Sequence, residues 1–247
     1  MSSIHKEVSG KTNSSFAMND LFRYPHTPHI AWLGAVDPRD DKVMSPSSVA
    51  LLLADKVVVE EKLDGANLGF SIGSDGSLRA QNRGQYLLPP FVGQFARLGH
   101  WLDMHRDQLL ETLGASLIIF GEWCAARHSL DYDYLPDWWL FFDVYDREAK
   151  KFWSTERRHQ TAREIGVVEV PCLRRGLVKF VELNDLVTHQ ISRFGEEPIE
   201  GLVVRREDSA WLHQSGKLVR PSFTQSITQH WRARTMTWNR LGMTPSG

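Results

Sequence analysis

Residues 56–72 read Lys-Val-Val-Val-Glu-Glu-Lys-Leu-Asp-Gly-Ala-Asn-Leu-Gly-Phe-Ser-Ile. The β-branched run at 56–62 predicts a strand, and Asn67–Ile72 predicts a second strand as its hairpin partner. Between them lies a charged segment, Lys62-Leu63-Asp64-Gly65-Ala66-Asn67. Lys62 there is either an exposed hairpin residue or a nucleophilic amine, with Gly65 allowing close approach to a ligand. A free lysine near pKa 10.4 is only about 0.04% neutral at pH 7, so a nucleophilic lysine needs neighbours or burial that lower its pKa.

Outward from this stretch, Ser74-Asp75-Gly76 supplies a turn into Leu78–Asn82, and apolar residues at helical spacing predict a helix over 93–113. Leu117–Trp123 and Trp138–Tyr145 are apolar runs typical of buried strands. A helix is expected from Thr155 to about Gly166, a second capped by Asn184 and running to about Phe194, and a third over Thr224–Arg232. Strands are expected at Gly201–Arg205 and Lys217–Val219. Strands in hairpin-like clusters with a few helices between them predict an α+β fold with mainly antiparallel sheets. Residues 1–20, rich in Ser, Asn and Lys, read as a flexible tail, and Pro25, Pro28, Pro38 and Pro46 punctuate an irregular lead-in.

Composition narrows the classes. The 247 residues carry 29 Lys+Arg and 30 Asp+Glu, for a formal charge of -1, which excludes a histone-like polycation. No window approaches the roughly 20 apolar residues of a membrane span. With two distant cysteines, Cys124 and Cys172, and a polar start, a cytoplasmic location is expected. The near-neutral sum hides a segregation: Ser129–Asp146 holds five aspartates and no Lys or Arg, whereas Ser209–Gly247 holds five Lys/Arg and no acid. Basic stretches interleaved with Trp231 and Trp238 suit a phosphate-tracking surface or a solvated face.

Companions to Lys62 follow in order: Arg83 in Asn-Arg-Gly, Glu122 in Phe-Gly-Glu-Trp, Phe142-Asp143 ending an apolar run, Glu200 opening Glu-Gly-Leu-Val-Val-Arg, and Lys217 opening Lys-Leu-Val-Arg-Pro-Ser-Phe. This order resembles the covalent nucleotidyltransferase superfamily of polynucleotide ligases and capping enzymes. Tyr-Pro-His-Thr-Pro-His (24–29), Ala-Arg-His-Ser (126–129) and Leu-Pro-Asp (135–137) bring it nearest to ATP-dependent RNA ligases related to T4 RNA ligase 2, especially stand-alone bacterial and viral members. The resemblance covers roughly Phe22 to Leu241. It implies a nucleotidyltransferase (ATP-grasp-like) domain over 21–247, with no appended OB-fold.

The resemblance also implies roles. Lys62 attacks the α-phosphate of ATP to form lysyl-AMP; AMP passes to an RNA 5'-phosphate and a 3'-hydroxyl displaces it. Asp64 orients Lys62 or shapes the turn. Glu122 bonds the ribose, Phe142 stacks on adenine, and Arg83 contacts the ribose or the incoming 5'-phosphate. Glu200 binds Mg²⁺ or Mn²⁺, and Asn67 lies near the phosphate or a metal-bound water. Lys217 holds the α-phosphate and helps depress the Lys62 pKa. Where many relatives carry a second lysine two positions later, this chain has Val219, and Arg220 is the candidate substitute. His128 is a candidate substrate contact or a structural histidine. The implied partners are RNA ends or a nicked duplex, with a protein partner as a further source of RNA affinity. A minimal DNA ligase, another polynucleotide nucleotidyltransferase, or a non-catalytic nucleic-acid-binding relative are the alternatives.

Overall fold

A computed structural model describes residues 21–34, 42–226 and 236–242. The tail over 1–20 and the residues Trp231, Arg232 and Arg234 lie outside the described residues. The elements are α1 (Pro46–Leu52), β1 (Val57–Lys62), β2 (Ala66–Ile72), β3 (Leu78–Gln81), β4 (Tyr86–Leu87), α2 (Leu98–Thr112), β5 (Leu117–Trp123), β6 (Trp139–Asp146), β7 (Lys151–Phe152), α3 (Thr155–Ile165), β8 (Val168–Glu169), β9 (Cys172–Gly176), α4 (Phe180–His189), β10 (Gly201–Glu207), β11 (Leu212–Val219) and α5 (Pro221–Ser226). A 3₁₀ turn at Gly93–Phe95 precedes α2.

The strands form two sheets, ordered β11-β10-β1-β9 and β4-β3-β2-β5-β6-β7. All pairings are antiparallel except that of β8, which runs parallel to β6. This is the α+β, antiparallel architecture that the strand pattern predicts. The expected hairpin between β1 and β2 does not form. β1 pairs with β10 and β9, and β2 pairs with β3 and β5. Leu63–Gly65 instead carries the chain from one sheet to the other. Gly65 is needed there because a Cβ would meet the Trp123 carbonyl oxygen at 2.6 Å.

Each sheet buries one face against its own helices. Val57, Val59, Leu202, Val204 and Leu218 pack with Leu52 of α1 and Leu183 and Val187 of α4. Leu68, Phe70, Ile119, Trp139, Phe141 and Val144 pack with Trp101 of α2 and Ile165 of α3. A third cluster includes Leu63, Tyr132, Leu140, Phe194 and Val219. With Val57 and Val59 facing the helices, the alternation of β1 sends Glu60 and Lys62 to the opposite face.

Several boundaries differ from the sequence reading for local physical reasons. Pro46 opens a helix rather than breaking one: Ser45 caps α1 by accepting from the Ser48 amide, and Pro at the first position has no amide to leave unpaired. α3 starts on a Ser154 cap and ends on Gly166 in the left-handed region at φ 76°. Asn184 lies inside α4 rather than capping it; the Glu182 side chain accepts from the Lys179 amide at the true start. α5 begins at Pro221, earlier than expected, and the rest of the expected helix lies outside the described residues. β9, the edge neighbour of β1, is a strand that its Arg-rich sequence concealed.

Candidate active site

The two sheets face each other across a cavity of about 500 Å³, a size that suits a small-molecule ligand. One wall is Glu60, Lys62, Val203 and Arg205 from the first sheet; the other is Asn67, Glu122, Phe142 and Asp143 from the second. Tyr24, Asn82, Arg83 and Gln94 also line it. Of the residues singled out in the sequence, Lys62, Asn67, Arg83, Glu122 and Phe142 thus meet at one cavity.

Phe142 reaches the cavity through a β-bulge. Opposite β5, Phe120 pairs with Asp143 and Gly121 pairs with Phe141, so Phe142 is the extra residue. Trp139 and Phe141 face the helix-covered core before the bulge, and Val144 does so after it. The phase change leaves Phe142 and Asp143 both on the cavity side. The Arg158 guanidinium donates to the Phe142 carbonyl at this point, holding the irregular backbone.

Lys62 ends β1 opposite Gly201, and its Nζ lies 2.6 Å from Glu200 Oε1. Burial works to lower its pKa, but Glu200, Glu122 and Asp64 outweigh that and leave it raised. Carboxylates therefore dominate around this ammonium, and the net shift runs opposite to the depression expected with Lys217 as a neighbour. Burial, partly offset by Lys62, pushes Glu122 up to about 8. It likewise pushes Glu200 up to about 7, against the pull of Lys62 and, more weakly, Lys217. The Lys217 side chain projects from the same sheet face as Val203 and Glu60, its neighbours across the strands. Arg220 follows β11; its amide donates to the Glu200 carbonyl, and its Nε is buried without a hydrogen-bond partner.

Two buried oxygens have no hydrogen-bond partner: Glu200 Oε2, on the carboxyl paired with Lys62, and Oδ1 of cavity-lining Asn67. Asn67 sits opposite Glu122 in the β2–β5 pairing. No cluster of three or more His, Cys, Asp or Glu able to hold a metal occurs among the described residues. Unpartnered hard oxygens on one or two side chains fit Mg²⁺ or Mn²⁺, which bind through few protein ligands and keep waters or substrate phosphates. Glu200 and Asn67 are the residues that could hold such an ion.

Asp64 lies close by but is committed elsewhere. Its Oδ2 accepts from the Ser129 and Leu130 amides at 2.6 and 2.8 Å, and its own amide donates to the Tyr132 hydroxyl. This geometry shapes the turn. His128 contacts Gln94 Oε1 at 2.8 Å, and Gln94 lines the cavity. Arg83 is exposed, with Nη1 3.2 Å from His26 Nδ1.

Sequence reasoning missed a second charged group, whose Glu60, Asp143 and Arg205 line the cavity. Arg205 bonds Asp143 at 2.8 Å and lies 3.8 Å from Glu60 and 3.4 Å from Glu207. Arg158 bonds Glu60 and Glu169, each at 2.6 Å. Tyr24 donates to Asp143 and meets Phe142 edge-on at 5.3 Å. The signal available in the sequence was Glu60-Glu61 inside an otherwise apolar strand. Glu61, on the other face, accepts from the Ser192 hydroxyl and the Arg193 amide.

Of the expected phosphate-tracking residues, Trp238 stacks against Arg97 at 4.4 Å and Arg240 pairs with Asp133, so both are engaged within the chain. No helix of the described residues is long and apolar enough to cross a membrane.

Structures of the RNA ligase of Naegleria gruberi superpose on the chain. A variant with ATP and manganese gives a TM-score of 0.57 at 18% identity, over 70% of this chain and 52% of that one. The form with pyrophosphate gives 0.58 at 18% identity, over 80% and 59%. A variant with AMP and manganese gives 0.53 at 18% identity, over 74% and 54%. At such identity the likeness shows the fold, and the chain spans little more than half the length of these ligases. No curated protein matches the sequence. The RNA ligase family model matches residues 55–221, from the strand before Lys62 to the residue after Arg220. The chain belongs to the RNA ligase family.

Proposed function

We propose that this chain is the catalytic nucleotidyltransferase unit, over residues 21–247, of an ATP-dependent RNA ligase that joins RNA 3'-hydroxyl and 5'-phosphate ends. The observation that carries the reading is the Lys62 ammonium at the crossover between two sheets, facing a cavity that also presents Phe142, Glu122 and Arg83. The similar ligases solved with ATP, AMP and manganese support the same ligands here.

In this reading adenine stacks on Phe142, Glu122 bonds the ribose, and Lys217 with Arg220 faces the α-phosphate. Glu200 and Asn67 would hold Mg²⁺ or Mn²⁺, which would supply charge neutralisation for the phosphates. Burial works to lower the Lys62 pKa against the hold of Glu200, and a cation on that carboxylate would weaken the hold. Lys62 Nζ attacks the α-phosphorus; the P–N bond forms, and the bond to pyrophosphate breaks with its electron pair leaving on oxygen. The AMP then passes to an RNA 5'-phosphate oxygen, returning Lys62 as the free amine. The 3'-hydroxyl displaces AMP and closes the strand. Arg83, exposed and lining the cavity, meets the incoming 5'-phosphate in this reading. Nicked duplex and free ends are both candidate substrates, and a protein partner would add RNA affinity.

Radiolabelled ATP with Mg²⁺ or Mn²⁺ tests the reading. The expected result is covalent label on the wild-type chain and none on Lys62→Ala. Undiminished label on Lys62→Ala, or a preference for GTP, would overturn it.

A further inference from the structure

The loop between β5 and β6, residues 124–138, holds the turn that carries Lys62, and it is itself held by a distant piece of chain. Residues 236–242 run along it through backbone hydrogen bonds. Arg127 N donates to Thr237 O at 2.9 Å, Asn239 N to Ala125 O at 3.0 Å, Arg240 N to Tyr132 O at 2.8 Å, and Leu135 N to Arg240 O at 3.1 Å. Gly242 N closes the series on Leu135 O at 2.9 Å. Two side-chain contacts fasten the segment from outside: Arg97 lies between Trp138 and Trp238, 4.7 and 4.4 Å from their rings, and Arg240 pairs with Asp133.

At the centre is Asn239, only 3% exposed. Its Oδ1 accepts from the Tyr132 amide at 3.0 Å, and its Nδ2 donates to the Cys124 carbonyl at 2.7 Å. One amide side chain therefore ties the beginning of the loop to its middle. Tyr132, fully buried, offers its hydroxyl oxygen to the Asp64 amide at 2.8 Å. Asp64 in turn grips the Ser129 and Leu130 amides of the same loop. Asp64 is two residues from Lys62, and Leu63 between them packs in the cluster that contains Tyr132, Cys124 and Leu130. A continuous set of contacts thus runs from Asn239 through Tyr132 and Asp64 to the nucleophile's backbone.

We infer that Met236–Gly242 is an intramolecular strap that fixes the Lys62 crossover, and that Asn239 is the positioning residue through which it acts. The inference rests on the ligase reading of Lys62. Asn239 touches neither cavity nor substrate; its effect is on where Lys62 Nζ points. The ATP-facing residues Glu122 and Phe142 stand on β5 and β6 themselves, outside the strapped loop. Loss of the strap contact therefore slows the attack on ATP more than it weakens ATP binding.

The test is single-turnover lysyl-AMP formation by the full chain, well below its melting temperature, across an ATP titration. Asn239→Ala, the milder Tyr132→Phe, their double mutant and Val187→Ala are compared. Val187 is a buried residue of α4 in the other core and supplies a loss of stability unrelated to the strap. The expected result is a rate constant reduced roughly tenfold to a hundredfold in Asn239→Ala and in Tyr132→Phe, with half-saturating ATP changed less than about twofold. The double mutant should lose less than the product of the two single losses, because both act through one chain of contacts. Equal rates in Asn239→Ala and Val187→Ala overturn the inference, as do independent, fully multiplying losses. A wild-type chain that takes no label overturns the ligase reading and this inference with it. A labelled wild type beside an unaffected Asn239→Ala and Tyr132→Phe overturns the inference alone.

Discussion

The cavity has charged groups at both ends, and they are built on opposite plans. Behind it, two guanidinium groups hold four carboxylates: Arg205 with Asp143, Glu60 and Glu207, and Arg158 with Glu60 and Glu169. Tyr24 and the Phe142 carbonyl take up further valences. In front, the Lys62 ammonium faces Glu200, Glu122 and Asp64, one oxygen of Glu200 is unpartnered, and two carboxyls are pushed to about 7 and 8. A saturated network is rigid and resists change. Carboxyls poised near neutral pH, with acceptors left over, are what a site awaiting a cation and a phosphate presents. The rear cluster holds the bulge through Arg158, and the front cluster surrounds Lys62, the proposed nucleophile.

The largest effect expected from this contrast is on stability. Arg205→Met leaves Asp143 and Glu60 buried with fewer partners and should cost about 3–5 kcal/mol in urea unfolding. Lys62→Met removes the ammonium between Glu200 and Glu122, yet both carboxyls can respond by protonating. Its cost at pH 6 should be no more than about 1–2 kcal/mol. Equal losses would erase the distinction between the two clusters.

The next effect is a pH dependence. In the folded chain Glu122 titrates near 8 rather than near the ordinary 4.5. Between those values the folded state binds more protons than the unfolded state, so stability falls as pH rises. Glu200, near 7, adds to the same slope. Glu122→Gln removes one contributor. The ligand-free variant should be more stable than the wild type at pH 8.5 by roughly 1–3 kcal/mol, with little difference at pH 4.5. A wild type whose stability rises from pH 5 to pH 8 would contradict the raised carboxyls.

The front cluster was legible in the sequence and the rear one was not, for a physical reason. Lys62 through Asn67 is contiguous, and the residues that join it are carried in short motifs whose order survives folding. The rear cluster is assembled from Glu60, Asp143, Arg158, Glu169, Arg205 and Glu207, which lie on β1, β6, α3, β8 and β10, with only Arg205 and Glu207 sharing an element. Strand pairing is equally non-local: β1 and β2 read as a hairpin, and only the tight Gly65 turn against Trp123 shows that the chain changes sheets there. Alternation could not separate Phe141 from Phe142, because the bulge shifts the phase of β6 between them. The direction of the Lys62 shift is hidden in the sequence for the same reason, since Glu200 and Glu122, which join Asp64 in raising it, come from distant segments.

The smallest effects separate the two plans at the level of single hydrogen bonds. Tyr24→Phe removes the bond to Asp143 at the rear, where Arg205 still pairs that carboxylate. The loss should be about 1 kcal/mol, the ordinary net worth of one such bond. Asn67→Ala at the front removes an oxygen that has no partner in the ligand-free chain. Deleting a buried, unsatisfied acceptor gives back its desolvation cost, so stability should be unchanged or higher by up to about 1 kcal/mol. Adenylylation of Lys62 should nonetheless weaken in Asn67→Ala, because in the proposed mechanism that oxygen helps hold the cation. Thermal unfolding and covalent labelling of the same two variants read out both halves. A destabilised Asn67→Ala that labels normally would assign Asn67 to the scaffold and move the boundary between the two clusters.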